Sequence, residues 1–280
     1  QLNPEVPSPL FLNNGDGTFT DVTVGSGMTG QTDMGHNTGD IDLDGFPDIF
    51  IGTGTPDFAS PDILLLITPN GSGGLNANDV SGASGITAAG GTRCHGIVFG
   101  DYDRDGDIDI YVNNGGPAQD RNTEQDNSFF QNQGNGNPWA AIKLVGTTSN
   151  RDGVGARCVA ITNTGREIHR MHRSAHGFCN TNPAEVWFGI GSDTSIDRIE
   201  ITWPSGITQT VNQPTMGTIS TIVEASCLAD INGDGSVTPT DFTAWINAFN
   251  NNLPTCDQNN DGVCTPTDFT AWIANFNAGC

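Results

Sequence analysis

The chain has 280 residues, room for two or three modest domains, and its 32 acidic against 10 basic residues give a formal net charge of -22. That balance excludes nucleic acid as a partner and argues against insertion into anionic membrane, because both need a basic face to replace their counterions. Cations are the natural partners, since the acids are mostly aspartates spaced among Gly, Ile, Phe and Trp rather than run together as a disordered tail.

Residues 1–10 carry three prolines and few helix formers, which predicts an extended arm. The opening Gln1, in place of Met, fits a mature form from which a signal peptide has been removed. No apolar run approaches the roughly 20 residues of a membrane span.

From Phe11 to about Phe130 the sequence repeats itself. The run from Phe11 to Phe19 reads as strand, glycine turn, strand, and it is echoed from Leu65 to Gly71 and from Phe129 to Gly134. Between these lie two carboxylate loops that run into β-branched and aromatic strands: Asp40, Asp42, Asp44, Gly45 and Asp48, then Asp101, Asp103, Asp105, Gly106 and Asp109 at the same spacing. Calcium takes six to eight oxygens at about 2.3–2.6 Å, and alternate residues of a tight loop aim carboxylates at one point. Glycine in sixth place permits the backbone reversal by which the seventh residue, Phe46 or Asp107, offers its carbonyl. Without a cation, so many carboxylates in one loop repel one another.

From about Trp139 to Glu224 alternating runs separated by turn signals at Gly153, Gly165 and Gly206 read as a second all-β module. After Cys227 the character changes to two copies of a loop followed by an amphipathic helix. The loops Asp230, Asn232, Asp234, Ser236, Asp241 and Asp257, Asn259, Asp261, Val263, Asp268 follow the twelve-residue EF-hand ligand pattern, with Asp in twelfth place where Glu is usual. No Lys or Arg lies between Cys227 and Cys280 to neutralise them, so about four Ca2+ sites are expected in the whole chain.

These motifs carry resemblances. Residues 11–135 resemble the FG-GAP or VCBS calcium-binding repeats of β-propellers. Residues 136–226, through the run Asn150 to Arg157, the run Trp187 to Gly191 and the run Trp203 to Gly206, resemble an ASPIC/UnbV domain. Residues 227–280 look like a type I dockerin in a cysteine-flanked form similar to that of planctomycete surface proteins. The resemblances imply a mainly β fold, with propeller-like repeat blades, a β-sandwich-like module and a small α-helical, EF-hand-like dockerin domain. They also imply a bacterial extracellular or cell-surface location and a cohesin-like partner; none of these families implies an enzyme by itself, and none is expected.

Seven cysteines are present, and Cys227, Cys256, Cys264 and Cys280 crowd the end without a CxxC pair, which suits disulfides and an oxidising compartment better than zinc. The favoured pairings are Cys256 with Cys264 and Cys227 with Cys280; Cys158 with Cys179 would leave Cys94 alone. His169, His172 and His176 read as surface imidazoles, since in a strand their spacing does not share one face. The five tryptophans read as core rather than as sugar-stacking platforms. Asn70-Gly-Ser72 matches an N-glycosylation acceptor.

A closed propeller has typically 4–8 blades, whereas carboxylate loops exist for two. Open sheet edges template pairing with another chain, so the expected function is a calcium-binding structural or adhesive protein that self-assembles into a homo-oligomer, filament or surface layer. The alternative is a cell-surface binding protein held by its dockerin-like end on a cohesin-like scaffold, with a surface glycan as a further candidate ligand.

Overall fold

The computed structural model describes residues 9–23, 33–54, 59–71, 74–116, 125–177, 179–225, 227–233, 236–259 and 261–278. The expected arm falls mostly on residues 1–8, outside this set. The fold is mainly β, as the alternating sequence runs require.

The short strands β1 (Phe11–Asn13) and β2 (Phe19–Asp21) form a two-stranded hairpin. Its turn is closed by Asx geometry, with the Gly15 and Thr18 amides donating to Asn13 Oδ1 and Asp16 Oδ1, each at 2.9 Å. Then come two antiparallel sheets of one design. The first is β3 (Asp33–Gly39), β4 (Asp48–Thr53), β5 (Ile63–Pro69) and β6 (Leu75–Asp79); the second is β7 (Cys94–Gly100), β8 (Asp109–Asn114) and β9 (Ser128–Phe130). In each, the carboxylate loop is the connection between the first two strands. Phe50 and Leu64 of the first sheet meet Ile97, Phe99, Ile110 and Val112 of the second in one buried cluster, while Ile51, Ile63, Leu65 and Ile67 point to the opposite face. Among the described residues no sheet closes into a barrel.

Strands β10 (Trp139–Val145), β11 (Arg157–Thr162), β12 (Glu167–Met171), β13 (Glu185–Gly189), β14 (Ile196–Thr202), β15 (Thr208–Asn212) and β16 (Ile219–Val223) make a sandwich. Its sheets run β13-β10-β16 and β12-β11-β14-β15, with β10 and β16 parallel. Their inner faces enclose Ile142, Phe188, Ile199, Ile201 and Trp203. Gly153, at φ +66°, lies where a Cβ would strike Trp203 and Leu144, which accounts for glycine in the turn that follows Asn150.

The chain ends in helices α1 (Pro239–Asn250) and α2 (Thr267–Ala278). Thr238 caps α1 in a capping box with Asp241, and Pro239 pre-sets its first turn. The equal spacing of the two copies brings Phe242 to within 5.6 Å of Phe269 and 5.2 Å of Trp272, ring centre to ring centre, a shared aromatic core. The indoles cross over: Trp245 Nε1 donates to Cys256 O at 3.1 Å, and Trp272 Nε1 to Ala229 O at 3.4 Å. Cys256 and Cys264 form a disulfide, as the short loop between them predicts. Cys227 is also disulfide-bonded; the expected partner Cys280 lies outside the described residues.

Two expectations need correction. Cys158 and Cys179 are not paired: both are free, with Cys158 sealed inside the sandwich core and Cys179 exposed. The alternation of β11 turns Cys158 inward, away from any surface loop. His172 is no surface imidazole either. It is buried just beyond β12, where its amide and carbonyl bond Ala156 O and Gly155 N at 2.9 Å each.

Candidate metal centre

The two repeat loops are congruent residue by residue. In the first, the amide of Ile41 donates to Asp48 Oδ2 at 2.8 Å, that of Gly45 to Asp40 Oδ2 at 3.1 Å, and that of Phe46 to Asp44 Oδ1 at 2.8 Å. In the second, Tyr102 donates to Asp109 Oδ2 at 3.0 Å, Gly106 to Asp101 Oδ2 at 3.1 Å, and Asp107 to Asp105 Oδ1 at 3.0 Å. The backbone repeats too: Leu43 and Arg104 in fourth place are left-handed at φ 56° and 63°, and the sixth-place glycines share φ 99°. The ninth aspartate also anchors the next segment through its other oxygen, accepting from Ile67 N and from Asn132 N, each at 2.9 Å.

This scaffold gathers Asp40, Asp42 and Asp48 in the first loop and Asp101, Asp103 and Asp109 in the second, each trio with one oxygen apiece within 4.8 Å of the others. Burial pushes the Asp48 carboxyl up to about 8, and it lifts Asp40 to about 6 even though the Arg170 guanidinium pulls the other way. Asp42, Asp101 and Asp107 are raised by burial and by their neighbouring carboxylates. A hard divalent cation fits this donor set. Asp101 Oδ1 is buried without a hydrogen-bond partner, and an all-oxygen ring of carboxylates matches Ca2+ rather than a softer metal. Asp44 and Asp105, predicted ligands, each have one oxygen turned back onto their own loop, and Phe46 lies under the Arg166 guanidinium, 5.9 Å from its ring centre.

The C-terminal loops are built on the same logic but are more open. Asp268 is fully buried; its Oδ1 accepts from Gln258 N at 2.8 Å and its Oδ2 from Thr265 N at 2.7 Å, which ties the loop to the start of α2. Asp241 does the same for α1 through Asn232 N and Thr238 N at 3.2 and 2.9 Å. Burial pushes both carboxyls up, yet the donated hydrogen bonds win and hold them below the usual range. Gly262 and Val263 donate to Asp257 and Asp261 at 2.9 Å, and Asn259 Nδ2 reaches Asp261 Oδ2 at 2.9 Å. Asp257, Asp261 and Asp268 are not drawn into a trio as tight as those of the repeats. Asp230 and Ser236 lie in the first of these loops; Asp234 is outside the described residues.

What the sequence did not show is how the repeat loops meet the sandwich. Arg170 of β12 places Nη2 at 2.9 Å from Asp40 Oδ2 and 3.2 Å from Gly45 O, and Arg166 Nη1 lies 2.9 Å from Asp44 O. Gly191 N donates to Leu43 O at 2.9 Å, and a Cβ on Gly189 would stand 2.3 Å from Leu43 Cα, so the glycines after Trp187 are there to admit the loop's backbone. In the second loop Gly106 abuts Trp139, whose ring lies 4.5 Å from that of Trp187. Asn132 Nδ2 bridges Ile41 O and Ile108 O at 3.1 and 3.2 Å, joining the two loops.

The sandwich also covers the free edges of β3 and β7. Ile97 N donates to Asn180 Oδ1 at 2.6 Å, Phe99 N to Asn182 Oδ1 at 3.0 Å, and Asn180 Nδ2 to His36 O at 2.7 Å. The premise that the repeat sheets leave their edges open therefore fails at these two strands: their groups are met within the chain.

Three family models match the chain, in the order the motifs stand: FG-GAP-like repeat over residues 7–51, ASPIC and UnbV over 146–229, and dockerin type I domain over 228–277. No curated protein matches. Among solved structures, a leucine-rich repeat protein from Bacteroides thetaiotaomicron is 12% identical over 72% of this chain, which spans 26% of that structure, at a TM-score of 0.18, too low to bear on the fold. The dockerin match and the disulfide point to an extracellular or scaffold-associated protein, and no described helix is long and apolar enough to cross a membrane.

Proposed function

We propose that the chain is a non-catalytic extracellular module, held together by about four Ca2+ ions and coupled through its C-terminal domain to a cohesin-like partner. The observation that carries this reading is the dockerin match over 228–277, which falls on a duplicated loop–helix unit with the same surface on both copies. Ile246 of α1 and Ile273 of α2 occupy equivalent positions and are each 40% exposed, while the tryptophan before each is buried. Apolar residues presented twice on a small rigid unit suit a protein partner. Support for a non-catalytic role comes from the carboxylates: those that cluster are engaged by backbone amides inside their loops, in a form suited to a cation rather than to proton transfer. The glycan reading gains nothing from the tryptophans, of which Trp203, Trp245 and Trp272 are core residues.

The test is calorimetric titration of the intact chain with a panel of recombinant cohesin domains, in calcium and in chelator. Saturable binding that vanishes on chelation and weakens in Ile246→Asp with Ile273→Asp is expected. Absence of binding to every cohesin in calcium would count against the coupling role. Self-assembly is a second reading, favoured by the exposed rings of Tyr102, Tyr111 and Phe129 on the second repeat sheet.

A further inference from the structure

We infer that the two repeat loops hold calcium unequally, the second being the tight site, because Arg170 gives the first loop part of the positive charge that an ion gives the second. This rests on the calcium reading of the loops and goes beyond it by ranking them and naming the residues that set the rank.

The loops share their backbone and the aspartates in first, third, fifth and ninth place, so any difference in affinity comes from what surrounds that common frame. In the first loop both oxygens of the leading aspartate are engaged: Asp40 Oδ2 accepts from Gly45 N at 3.1 Å and from Arg170 Nη2 at 2.9 Å, and Oδ1 from Gly45 N at 3.3 Å. In the second, Asp101 accepts from Gly106 N through Oδ2 at 3.1 Å, and its Oδ1 is buried with no partner. An ion at the first loop must share Asp40 with a guanidinium; at the second it meets a buried oxygen that lacks a donor.

Charge separates them further. The seventh residue is Phe46 in the first loop and Asp107 in the second, where its carboxylate is repelled by Asp101, Asp103, Asp105 and Asp109. The second loop thus carries five carboxylates, the first four and the guanidinium of Arg170. Arg104 does not restore the balance, since it is exposed and makes no ion pair among the described residues. Calcium affinity of such loops is tuned by ligand charge and by rigidity.

Rigidity favours the first loop. Its carbonyls from 42 to 45 all accept hydrogen bonds from outside the loop: Asp42 O from Asn137 Nδ2 at 2.8 Å, Leu43 O from Gly191 N and Asp44 O from Arg166 Nη1 at 2.9 Å each, and Gly45 O from Arg170 Nη2 at 3.2 Å. The equivalent carbonyls from 103 to 106 accept none among the described residues. A pre-formed loop saves ordering cost on binding. Charge outweighs that saving, because a divalent ion beside a guanidinium meets twice the repulsion of a unit charge, in a seam where both side chains are largely buried and salt screens weakly. The first loop therefore keeps its shape, and Arg170 keeps the seam closed, at calcium levels that fill the second loop first.

Nuclear magnetic resonance of the full chain, with free calcium set by a chelator buffer, reads each loop at its sixth-place glycine amide. Gly106 should reach its midpoint at free calcium about tenfold or more below Gly45. Arg170→Gln should lower the Gly45 midpoint by about tenfold and leave that of Gly106 in place. Arg170→Lys, which keeps the charge, should move Gly45 much less. Asp107→Asn should raise the Gly106 midpoint, and since it leaves Arg170 in place it tests the ranking even where Arg170→Gln fails to fold. Equal midpoints in the unmodified chain overturn the inference, as does a Gly45 midpoint unmoved in folded Arg170→Gln or a Gly106 midpoint unmoved in Asp107→Asn. These results leave the calcium reading intact, whereas glycines that both ignore calcium overturn that reading and this inference together.

Discussion

Arg170 and Asp40 are joined at 2.9 Å across the seam between the sandwich and the first carboxylate loop, with the Arg170 side chain 16% and the Asp40 side chain 3% exposed. The second loop has the same backbone and aspartates in the same four places, with Asp107 where the first has Phe46, yet no salt bridge to it is seen among the described residues. Arg170 is therefore a cation built into one of the two loops.

Removing one member of a buried pair costs about 3–5 kcal/mol, because the other charge is left unpaired. Arg170→Leu should accordingly lower the melting temperature of the calcium-free protein. Calcium bound at Asp40, as proposed, would supply the missing charge, so the loss should shrink when it is added. Paired melts with and without calcium check this; an equal loss in both would mean that Arg170 acts by packing alone.

Glu224 should govern acid stability. Its Oε2 accepts from the amides of Thr147, Thr148 and Ser149 at 2.8, 2.8 and 2.7 Å, and its Oε1 from the hydroxyls of Ser149 and Ser205 at 2.7 and 2.6 Å. Burial alone would raise its pKa, but these donors outweigh it and hold the carboxyl at about 2 against an ordinary 4.5. A depressed folded pKa stabilises above the unfolded value, and the gain fades as pH falls from 4.5 towards 2. The gap corresponds to about 3 kcal/mol. Glu224→Gln should melt lower than the unmodified chain at neutral pH and converge on it in that acid window; a constant difference across the window would contradict this.

The free thiols should report the topology. Burial pushes the thiols of Cys94 and Cys158 up to about 12, whereas Cys179 is exposed. A thiol reagent should titrate one of these three in the native chain and all three after denaturation. Non-reducing peptide mapping should recover Cys256 with Cys264 and no peptide joining Cys158 to Cys179.

Much of this architecture was legible because its signals are local. Asp40 to Asp48 and Asp101 to Asp109 carry ligand spacing and turn glycine in nine residues, and the helices follow from the spacing of Phe242, Trp245 and Phe249. The seam was not legible, because it joins residues far apart in the chain, 130 positions between Asp40 and Arg170 and 83 between Ile97 and Asn180. Nothing around Arg166 and Arg170 in the sequence marks them as reaching the carboxylate loop, and nothing in the run Asn180 to Asn182 announces that its amides complete another domain's sheet edge. The signal that could have been used was Gly189 and Gly191: two glycines beside a strand mark a close backbone approach. The expected pair of Cys158 with Cys179 failed because alternation along β11 turns Cys158 into the core.

The asparagine edge makes a further prediction. Asn180→Ala removes the acceptor of Ile97 N and the donor to His36 O. Ile97 N is buried and His36 O partly so; a stranded buried group costs about 1–3 kcal/mol, so the variant should melt below the unmodified chain. Amide exchange should accelerate first in β7. Loss of stability without faster exchange there would place the effect elsewhere.

We propose that calcium in the carboxylate loops holds the repeats, the seam and the terminal domain together. Ligand that binds the native state alone stabilises it by mass action. The most direct test is thermal unfolding of the full chain before and after exhaustive chelation, with metal removal verified by elemental analysis. A marked fall in melting temperature, restored by calcium, is the predicted result; an unchanged melt in the verified metal-free chain would contradict the account.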